Sequence, residues 1–347
     1  MIAALPTPRV PDPSAAPPLR WGILAPGGIA GRMVDALHAH TRQQVVAVGS
    51  RSADRAQAFA TRYGIPHAYG SYEQLVADPN VDIVYVASPH SEHAAHAILA
   101  LRAGKPTLVE KAFTRNRAEA AAIVATARAV NKPVMEAIMT RQTPALDVVK
   151  QLVDNGDLGV VDTILADHGQ NLTSVPRLVQ PELAGGALLD LGIYCVQFAT
   201  FLGGLPSRVV ATGALTNTGV DAHIAISLDG FARLPNAMAA LHTTMLSATP
   251  TKATVCGSDA RVELAGPGPF TGGGVMLRVV MQGGDVIERP VPEITGSRAL
   301  CYEAAHFARV VADGLHDSPI MPAEESVAIM GLLDAVRAQV GVVYPGE

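Results

Sequence analysis

Charged and aromatic residues are scarce in this chain of 347 residues, where they make up 16% and 4% of the sequence. A low charged fraction together with 49% hydrophobic residues excludes a disordered protein and indicates a well-buried globular one. The net charge of −5 gives no general attraction to nucleic acid or to an anionic membrane. The length suits about two domains.

Cysteine is equally rare. The three cysteines, Cys195, Cys256 and Cys301, lie far apart and have neither metal-ligand spacing nor an even number for disulfides. We therefore expect a reducing compartment, the cytoplasm. No apolar run approaches the roughly 18 residues of a membrane span, and the N-terminal segment lacks the features of a secretory signal. Because residues 1–18 are rich in proline and alanine, we interpret them as a flexible extension.

The remaining sequence divides into two patterns. Residues 19–140 alternate short apolar strands with helices, which predicts parallel βαβ units in a doubly wound, dinucleotide-type α/β domain. Residues 141–347 begin with a helix and continue with strand-like runs separated by glycine and proline turns. They predict an α+β domain with a large, mostly antiparallel open sheet. Two helices, near 298–314 and 323–340, close the chain.

A glycine turn follows the first predicted strand. In GILAPGGIAGR, the residues at the three positions of the G-x-G-x-x-G/A dinucleotide motif are Ala25, Gly27 and Ala30, with Gly28 and Ile29 between the last two. Glycine at the central position lets a pyrophosphate approach the backbone, and the helix N-terminus favours its charge. The turn therefore predicts a dinucleotide site, although alanine at the first position leaves an ordinary strand–helix turn as an alternative.

The end of the second strand selects the nucleotide. An acid there would bind the ribose of NAD, whereas this chain has Ser50, Arg51 and Ser52, with Arg55 one turn later. Arginine suits a 2′-phosphate, so the sequence favours NADP and leaves NAD as an alternative. The other interpretation of these arginines is a solvated helix start.

The segment 185–198, GGALLDLGIYCVQF, combines glycines, an acid and a phenol in an apolar run. Asp190 and Tyr194 are four residues apart, so that a helix would place both on one face. Gly185 and Gly186 would let a ligand or another backbone come close. A site and a buried helix with a satisfied aspartate N-cap remain equally open interpretations.

Lys111 ends a buried strand, at the sheet edge where ligands bind in open α/β sheets. At an ordinary pKa near 10.4 a lysine is a proton donor at neutral pH, and only burial or a nearby cation would let it act in both directions.

Together these residues resemble the Gfo/Idh/MocA family of NAD(P)-dependent oxidoreductases over nearly the whole chain from about residue 19. Within the family, the chain is most similar to the branch of NADP-dependent dihydrodiol and D-xylose dehydrogenases. The resemblance rests on GILAPGGIA, VGSRS, VDIVYVASPHSEH, AGKPTLVEK, MEAIMTR and GGALLDLGIYCVQF, in the family's order and spacing.

The resemblance implies a role for individual residues. Lys111 corresponds to the catalytic lysine of the Glu-Lys-Pro motif, next to Glu110, and Ala112 replaces the proline, so that a cis Lys-Pro bond is excluded. Asp190 and Tyr194 correspond to the acid and the last residue of D-x-G-x-H/Y, facing the nicotinamide.

The P-x-x-x-H element is also present. Pro89 and His93 match it beside the cofactor. A metal on His90, His93 and His96 is rejected, because hydride transfer to a nicotinamide needs none. Arg141 is equally open as a substrate or phosphate contact and as a structural salt bridge.

The function implied is hydride transfer between NADP and a hydroxyl or carbonyl of a small cyclic polyol or sugar, such as an aldose, an anhydrosugar or a trans-dihydrodiol. Lys111 and Tyr194 would manage the proton. Alternatives are a keto- or anhydro-sugar reductase and a non-catalytic NADP-binding sensor. We also expect a homodimer or homotetramer formed through the open sheet.

Overall fold

The computed structural model describes residues 4–266 and 268–347. The strands are β1 Arg20–Leu24, β2 Gln44–Gly49, β3 His67–Tyr69, β4 Ile83–Val86, β5 Thr107–Glu110, β6 Val134–Ala137, β7 Val161–Gly169, β8 Arg208–Leu215, β9 Asp221–Asp229, β10 Met238–Thr244, β11 Ala253–Gly257, β12 Ala260–Ala265, β13 Met276–Met281 and β14 Val286–Pro290. The helices are α1 Gly28–His40, α2 Ala53–Tyr63, α3 Tyr72–Ala77, α4 His93–Arg102, α5 Arg117–Ala129, α6 Pro144–Asp154, α7 Ile193–Gly203, α8 Leu300–Ala312 and α9 Ala323–Val340.

The chain forms two compact units and passes between them several times. The Rossmann unit consists of Pro11–Ile138 and Ser297–Met330. The sheet unit consists of the chain up to Val10, Met139–Gly296 and Gly331–Glu347. Helix α9 thus begins in one unit and ends in the other.

The Rossmann unit is built on six parallel strands in the order β3-β2-β1-β4-β5-β6. All residues of β4, β5 and β6 are buried, as expected for strands covered on both faces. The helices begin where side chains can cap them: Ser52, Ser71 and Asn116 accept hydrogen bonds from the first turns of α2, α3 and α5. Helix α8 packs against α1. The predicted doubly wound domain is confirmed.

The sheet unit contains an eight-stranded sheet in the order β14-β13-β12-β11-β7-β10-β9-β8. Among these pairs only β7 and β10 run parallel, and the others are antiparallel. Burial alternates along β7, β9, β10 and β12, so that one face is covered while the other carries exposed side chains. The prediction of a large, mostly antiparallel sheet is confirmed.

The proline-rich N-terminal stretch makes specific contacts. Arg9 forms a salt bridge to Asp147 of α6, with 2.7 Å between Nη2 and Oδ1, inside the sheet unit. Within the Rossmann unit, Ala16 is fully buried and Arg309 of α8 donates to the Asp12 carbonyl. Each part of the stretch therefore contacts the unit to which it belongs.

One helical run, Pro181–Gly203, is long and apolar enough to cross a membrane by length and composition. The expectation that no apolar run approaches that length is therefore wrong. In this protein 89% of its most apolar window is buried. Packing within the protein accounts for its composition, as it does for core helices generally.

Candidate functional site

The glycine turn between β1 and α1 has the shape of a dinucleotide cradle. Ala25 adopts a left-handed backbone conformation with a φ of 70°, which explains why glycine is usual at this position. A Cβ atom built on Gly27 or Gly28 meets no heavy atom of the described chain within 4 Å. Because the N-terminus of α1 also presents free amides at this point, the turn fits a pyrophosphate.

The last glycine of the turn has a different role. A Cβ atom on Gly31 would lie 2.3 Å from the hydroxyl of Tyr63 on α2. Gly31 therefore allows α1 and α2 to pack closely, and Ala30, at the third position of the motif, is fully buried.

Basic side chains surround the end of β2. The positive charges of Arg51 and Arg55 act on the Tyr72 hydroxyl, and burial raises the pKa of that hydroxyl. Ser50 is buried, and its hydroxyl accepts a hydrogen bond from the Ser52 amide at 3.2 Å. The cluster offers several donors and positive charge, which fits a phosphate monoester. Tyr72 is a member that the sequence pattern did not reveal.

Lys111 directly follows β5 and is partly buried. Its neighbour Glu110 is buried, and the carboxylate of Glu110 accepts a hydrogen bond from Tyr85 at the adjacent strand β4. The bond between Lys111 and Ala112 is cis, although alanine stands where the family motif has proline.

A group of buried carboxyls lies behind this lysine. Glu303 of α8 is fully buried, and neither of its carboxyl oxygens accepts a hydrogen bond from the described residues. Burial raises the pKa of Glu303 well above its ordinary value, the nearby Glu110 and Glu136 raise it further, and Lys111 opposes the shift. Glu136 is held by the Phe113 amide at 3.0 Å and the Ser326 hydroxyl at 3.0 Å.

Both ring nitrogens of His93 lie within hydrogen-bond distance of backbone carbonyls in the Rossmann unit. Its Nε2 lies 2.8 Å from the Ser88 carbonyl and its Nδ1 2.9 Å from the Ala112 carbonyl. Burial lowers the pKa of His93 to about 4, so the neutral ring donates to one of the two. The ring thereby links the end of β4, next to Pro89, to the backbone beside Lys111.

The neighbouring histidine binds the same loop. His96 lies 2.9 Å from the Ser88 hydroxyl through Nδ1. Within residues 4–266 and 268–347, no group of three or more His, Cys, Asp or Glu side chains is arranged to hold a metal ion.

Asp190 lies in a π-helical turn, Leu188–Gly192, that leads directly into α7, which carries Tyr194. Such turns are rare in proteins and are often found at functional sites. The Asp190 carboxylate is paired with Arg177, with 2.8 Å between Nη2 and Oδ1. The Tyr194 ring packs edge-on against His168, with 5.3 Å between the ring centroids. Neither Arg177 nor His168 was predicted.

The two glycines before this turn are explained by packing. A Cβ atom on Gly185 would lie 2.5 Å from the Leu178 carbonyl, so it is another backbone that comes close here. Gly186 has a φ of 111°, and its Cβ would lie 2.1 Å from Oδ1 of Asp221.

Arg141 is placed among hydrophobic and hydroxyl groups of the sheet unit. It is 2% exposed, its Nη2 lies 3.3 Å from the Thr200 hydroxyl, and its guanidinium stacks over Phe201 at 5.1 Å. Through these contacts Arg141 packs against α7, which contains Thr200 and Phe201.

The candidate residues therefore belong to two groups. The glycine turn, the Ser50–Arg55 segment, Pro89, His93, Glu110 and Lys111 are in the Rossmann unit, whereas Arg141, Asp190 and Tyr194 are in the sheet unit. Five neighbours of these residues had no local signal in the sequence. Tyr72 and Glu303 lie near the Rossmann group, and the sheet group is contacted by Arg177, His168 and Asp221.

Comparison with known proteins covers both units. Residues 19–138 match the profile described as "Oxidoreductase family, NAD-binding Rossmann fold", and residues 147–263 match the GFO/IDH/MocA C-terminal domain. The trans-1,2-dihydrobenzene-1,2-diol dehydrogenase of Macaca fascicularis is 38% identical over 336 residues, covering 95% of this chain and 99% of that protein. The Homo sapiens enzyme of the same name is 36% identical over 339 residues, with the same coverage.

Solved structures agree with these matches. An aldose-aldose oxidoreductase from Caulobacter crescentus, complexed with glycerol, has a TM-score of 0.83 and 25% identity over 94% of this chain and 98% of its own. A 3-ketoreductase from Actinomadura kijaniata, solved with NADP and TDP-benzene, has a TM-score of 0.81 and 27% identity over 93% of this chain and 98% of its own. The resemblance found in the sequence is confirmed, and the chain belongs to the Gfo/Idh/MocA family of NAD(P)-dependent oxidoreductases.

Proposed function

We propose that the protein is an NADP-dependent dehydrogenase that acts on a hydroxyl group of a small cyclic polyol or sugar: an aldose, an anhydrosugar or a trans-dihydrodiol. The observation that carries the proposal is Lys111 at the carboxyl end of β5, on the same parallel sheet as the open glycine cradle. In such sheets ligands bind outside the carboxyl ends of the strands. The names of the dehydrogenase relatives support the substrate class.

The preference for NADP rests on Arg51 and Arg55. Both lie near the Tyr72 hydroxyl after β2, where a 2′-phosphate would require positive charge and donors. The Actinomadura kijaniata reductase, similar over most of its length, was solved with NADP. NAD remains the weaker alternative.

The proposed chemistry divides between the two units. Bound NADP would supply the hydride acceptor. Lys111 and Tyr194 would bracket the reacting oxygen and exchange its proton, one as acid/base and the other as donor or relay. Asp190 would orient a neighbouring hydroxyl or the lysine. The family resemblance supports these roles.

The test is NADP reduction over a panel of aldoses, anhydrosugars, inositols and aromatic trans-diols, with Lys111→Met and Tyr194→Phe as variants. We expect turnover by the wild type on at least one diol or sugar, and loss of it in Lys111→Met with NADP affinity largely unchanged. Loss of both turnover and NADP binding in Lys111→Met would contradict the catalytic role of the lysine. Tight NADP binding without turnover of any compound would instead favour the sensor.

A keto-sugar reductase is the second candidate, because a structural relative is a 3-ketoreductase. The dehydrogenase and the reductase differ in the physiological direction of hydride transfer. Assaying NADPH oxidation with the keto products of the same panel distinguishes them: a reductase would show the larger kcat/KM in that direction.

The exposed face of the sheet unit is the proposed oligomer interface. Val210, Ser227, Ala240, Leu165 and Thr254 form one row across five strands, and Val210 and Leu165 are 56% and 43% exposed. A homodimer or homotetramer would bury this row. We also propose that the protein is cytoplasmic. Leu165→Glu should reduce the mass measured by light scattering, whereas Leu315→Glu, at a 44% exposed leucine of the Rossmann unit, should not.

A further inference from the structure

The loop between β7 and the π-helical turn is anchored beside Asp190. The Leu178 carbonyl accepts a hydrogen bond from the Gly186 amide at 2.9 Å. The Leu178 side chain is buried against Ala187 and Met245. Because the loop is fixed at Leu178, its neighbour Arg177 is held next to the π-helical turn, and its position does not depend on the salt bridge alone.

Arg177 and Asp190 form a half-exposed ion pair. One guanidinium nitrogen, Nη2, lies 2.8 Å from Oδ1 of Asp190, and the two side chains are 45% and 9% exposed. This is the one hydrogen bond that Arg177 makes with the described residues. Its other N–H groups therefore face solvent beside a carboxylate that is almost buried.

The chemistry of the pair selects a neutral ligand. A guanidinium offers only donors and an ionised carboxylate only acceptors, so together they match a hydroxyl, which both accepts and donates. Since Asp190 already compensates the charge of Arg177, a ligand carboxylate or phosphate would meet a neighbouring negative charge. An uncharged polyol meets no such repulsion.

We propose that Arg177 is a specificity-determining residue: with Asp190 it binds the hydroxyl adjacent to the reacting one, and it thereby selects uncharged vicinal diols over simple alcohols and sugar acids. This inference rests on the proposed function, in which Asp190 faces the substrate. It concerns substrate choice, and the proton-transfer roles of Lys111 and Tyr194 are separate.

The experiment compares trans-1,2-cyclohexanediol with cyclohexanol as substrates of the wild type, Arg177→Met and Arg177→Gln. A hydrogen bond to a charged group contributes about 1.5–3 kcal/mol, so kcat/KM for the diol should fall about 10- to 100-fold in Arg177→Met. Cyclohexanol should change less than about threefold. A matched control is Arg208→Gln, which removes an exposed arginine paired with Asp229 in the same unit and should affect neither substrate.

The outcomes separate this inference from the function on which it rests. No turnover of any polyol by the wild type sinks the proposed function. If the wild type turns over the diol but kcat/KM in Arg177→Met falls equally for diol and alcohol, or does not fall, the role of Arg177 is overturned and the proposed function still stands. If the wild type does not oxidise cyclohexanol, calorimetric titration of the NADP complex with the diol decides: the affinity must fall at least tenfold in Arg177→Met and stay unchanged in Arg208→Gln.

Discussion

Oδ2 of Asp221 accepts a hydrogen bond of 2.6 Å from the amide of Leu188, the first residue of the π-helical turn that carries Asp190. Asp221 begins strand β9 and is fully buried. Burial raises its pKa to about 6, while the amide holds it down. A distant strand thus supplies the cap that the turn itself lacks.

This contact predicts that Asp221→Ala lowers the free energy of unfolding by about 1–3 kcal/mol, because the buried Leu188 amide loses its acceptor. Asp221→Asn keeps an oxygen in place and should cost less. Urea denaturation of the two variants checks the order. An equal loss in both would show that the charge, and not the acceptor, stabilises the turn.

Ala25 predicts a stabilising substitution. A non-glycine residue in the left-handed region costs about 1–2 kcal/mol, and glycine adds about 0.4–1 kcal/mol of unfolded-state entropy. With a φ of 70° at this position, Ala25→Gly should therefore raise the free energy of unfolding by roughly 0.5 kcal/mol, whereas Ala25→Val should lower it. Urea melts of both variants measure the difference, and a lower stability for Ala25→Gly would contradict the explanation.

A substitution at Gly27 should weaken cofactor binding without lowering the stability of the protein. Gly27→Asp places a good N-cap and a favourable negative charge at the start of α1, where the described chain leaves room, so the melting temperature should stay or rise. The same carboxylate would repel a pyrophosphate, and NADP affinity should fall at least about 100-fold, or roughly 2.7 kcal/mol. Fluorescence titration measures the affinity.

The control for this substitution is Gly31→Ala, which should destabilise the fold through the Tyr63 contact. Unchanged NADP affinity in a folded Gly27→Asp protein would place the cofactor elsewhere.

Arg51 predicts the choice between the two nucleotides. Arg51→Gln removes a charged donor, so kcat/KM with NADP should fall about 10- to 100-fold while the value with NAD changes little. Arg62→Gln, at the other end of α2, is the matched control because Arg62 stacks on Tyr63. A similar fall with both nucleotides would argue against a 2′-phosphate contact.

Glu303 predicts the dependence of stability on pH. The pKa of Glu303 is raised in the folded protein, so between the unfolded and the folded pKa the carboxyl is protonated in the folded state and ionised in the unfolded chain. The stability it contributes is present at acid pH and is lost as the pH rises from the unfolded pKa to the folded one. Glu303→Gln should therefore be more stable than the wild type at pH 8, by about 1–3 kcal/mol, with the difference disappearing near pH 4. Urea denaturation between pH 4 and pH 8 measures the free energy of unfolding of both proteins. A difference that does not change with pH would refute the raised pKa of Glu303.

Local patterns predicted much of this fold. The turn GILAPGGIAGR indicated a strand, a turn and a helix, and β1 and α1 follow that pattern, because apolar periodicity and glycine placement act over a few residues. Helix α9 has the predicted bounds. The parallel pairing of β7 with β10 was missed, because strand partners distant in sequence leave no local pattern.

The candidate site was less accessible to sequence reasoning. Asp190 and Tyr194 could be singled out because an acid and a phenol are costly in an apolar run. Their observed neighbours, Arg177 and His168, come from a loop and from β7. The π-helical geometry at Asp190 likewise depends on Asp221, which belongs to β9.

The interleaving of the two units has a consequence for synthesis on the ribosome. Helix α8, which packs against α1, leaves the ribosome only after the whole eight-stranded sheet has been made. Until then, the face of α1 that α8 covers stays open to solvent and to chaperones. The Rossmann unit therefore cannot be completed first, although its strands come first in the chain, and a fragment cut after β6 should expose an apolar surface and aggregate.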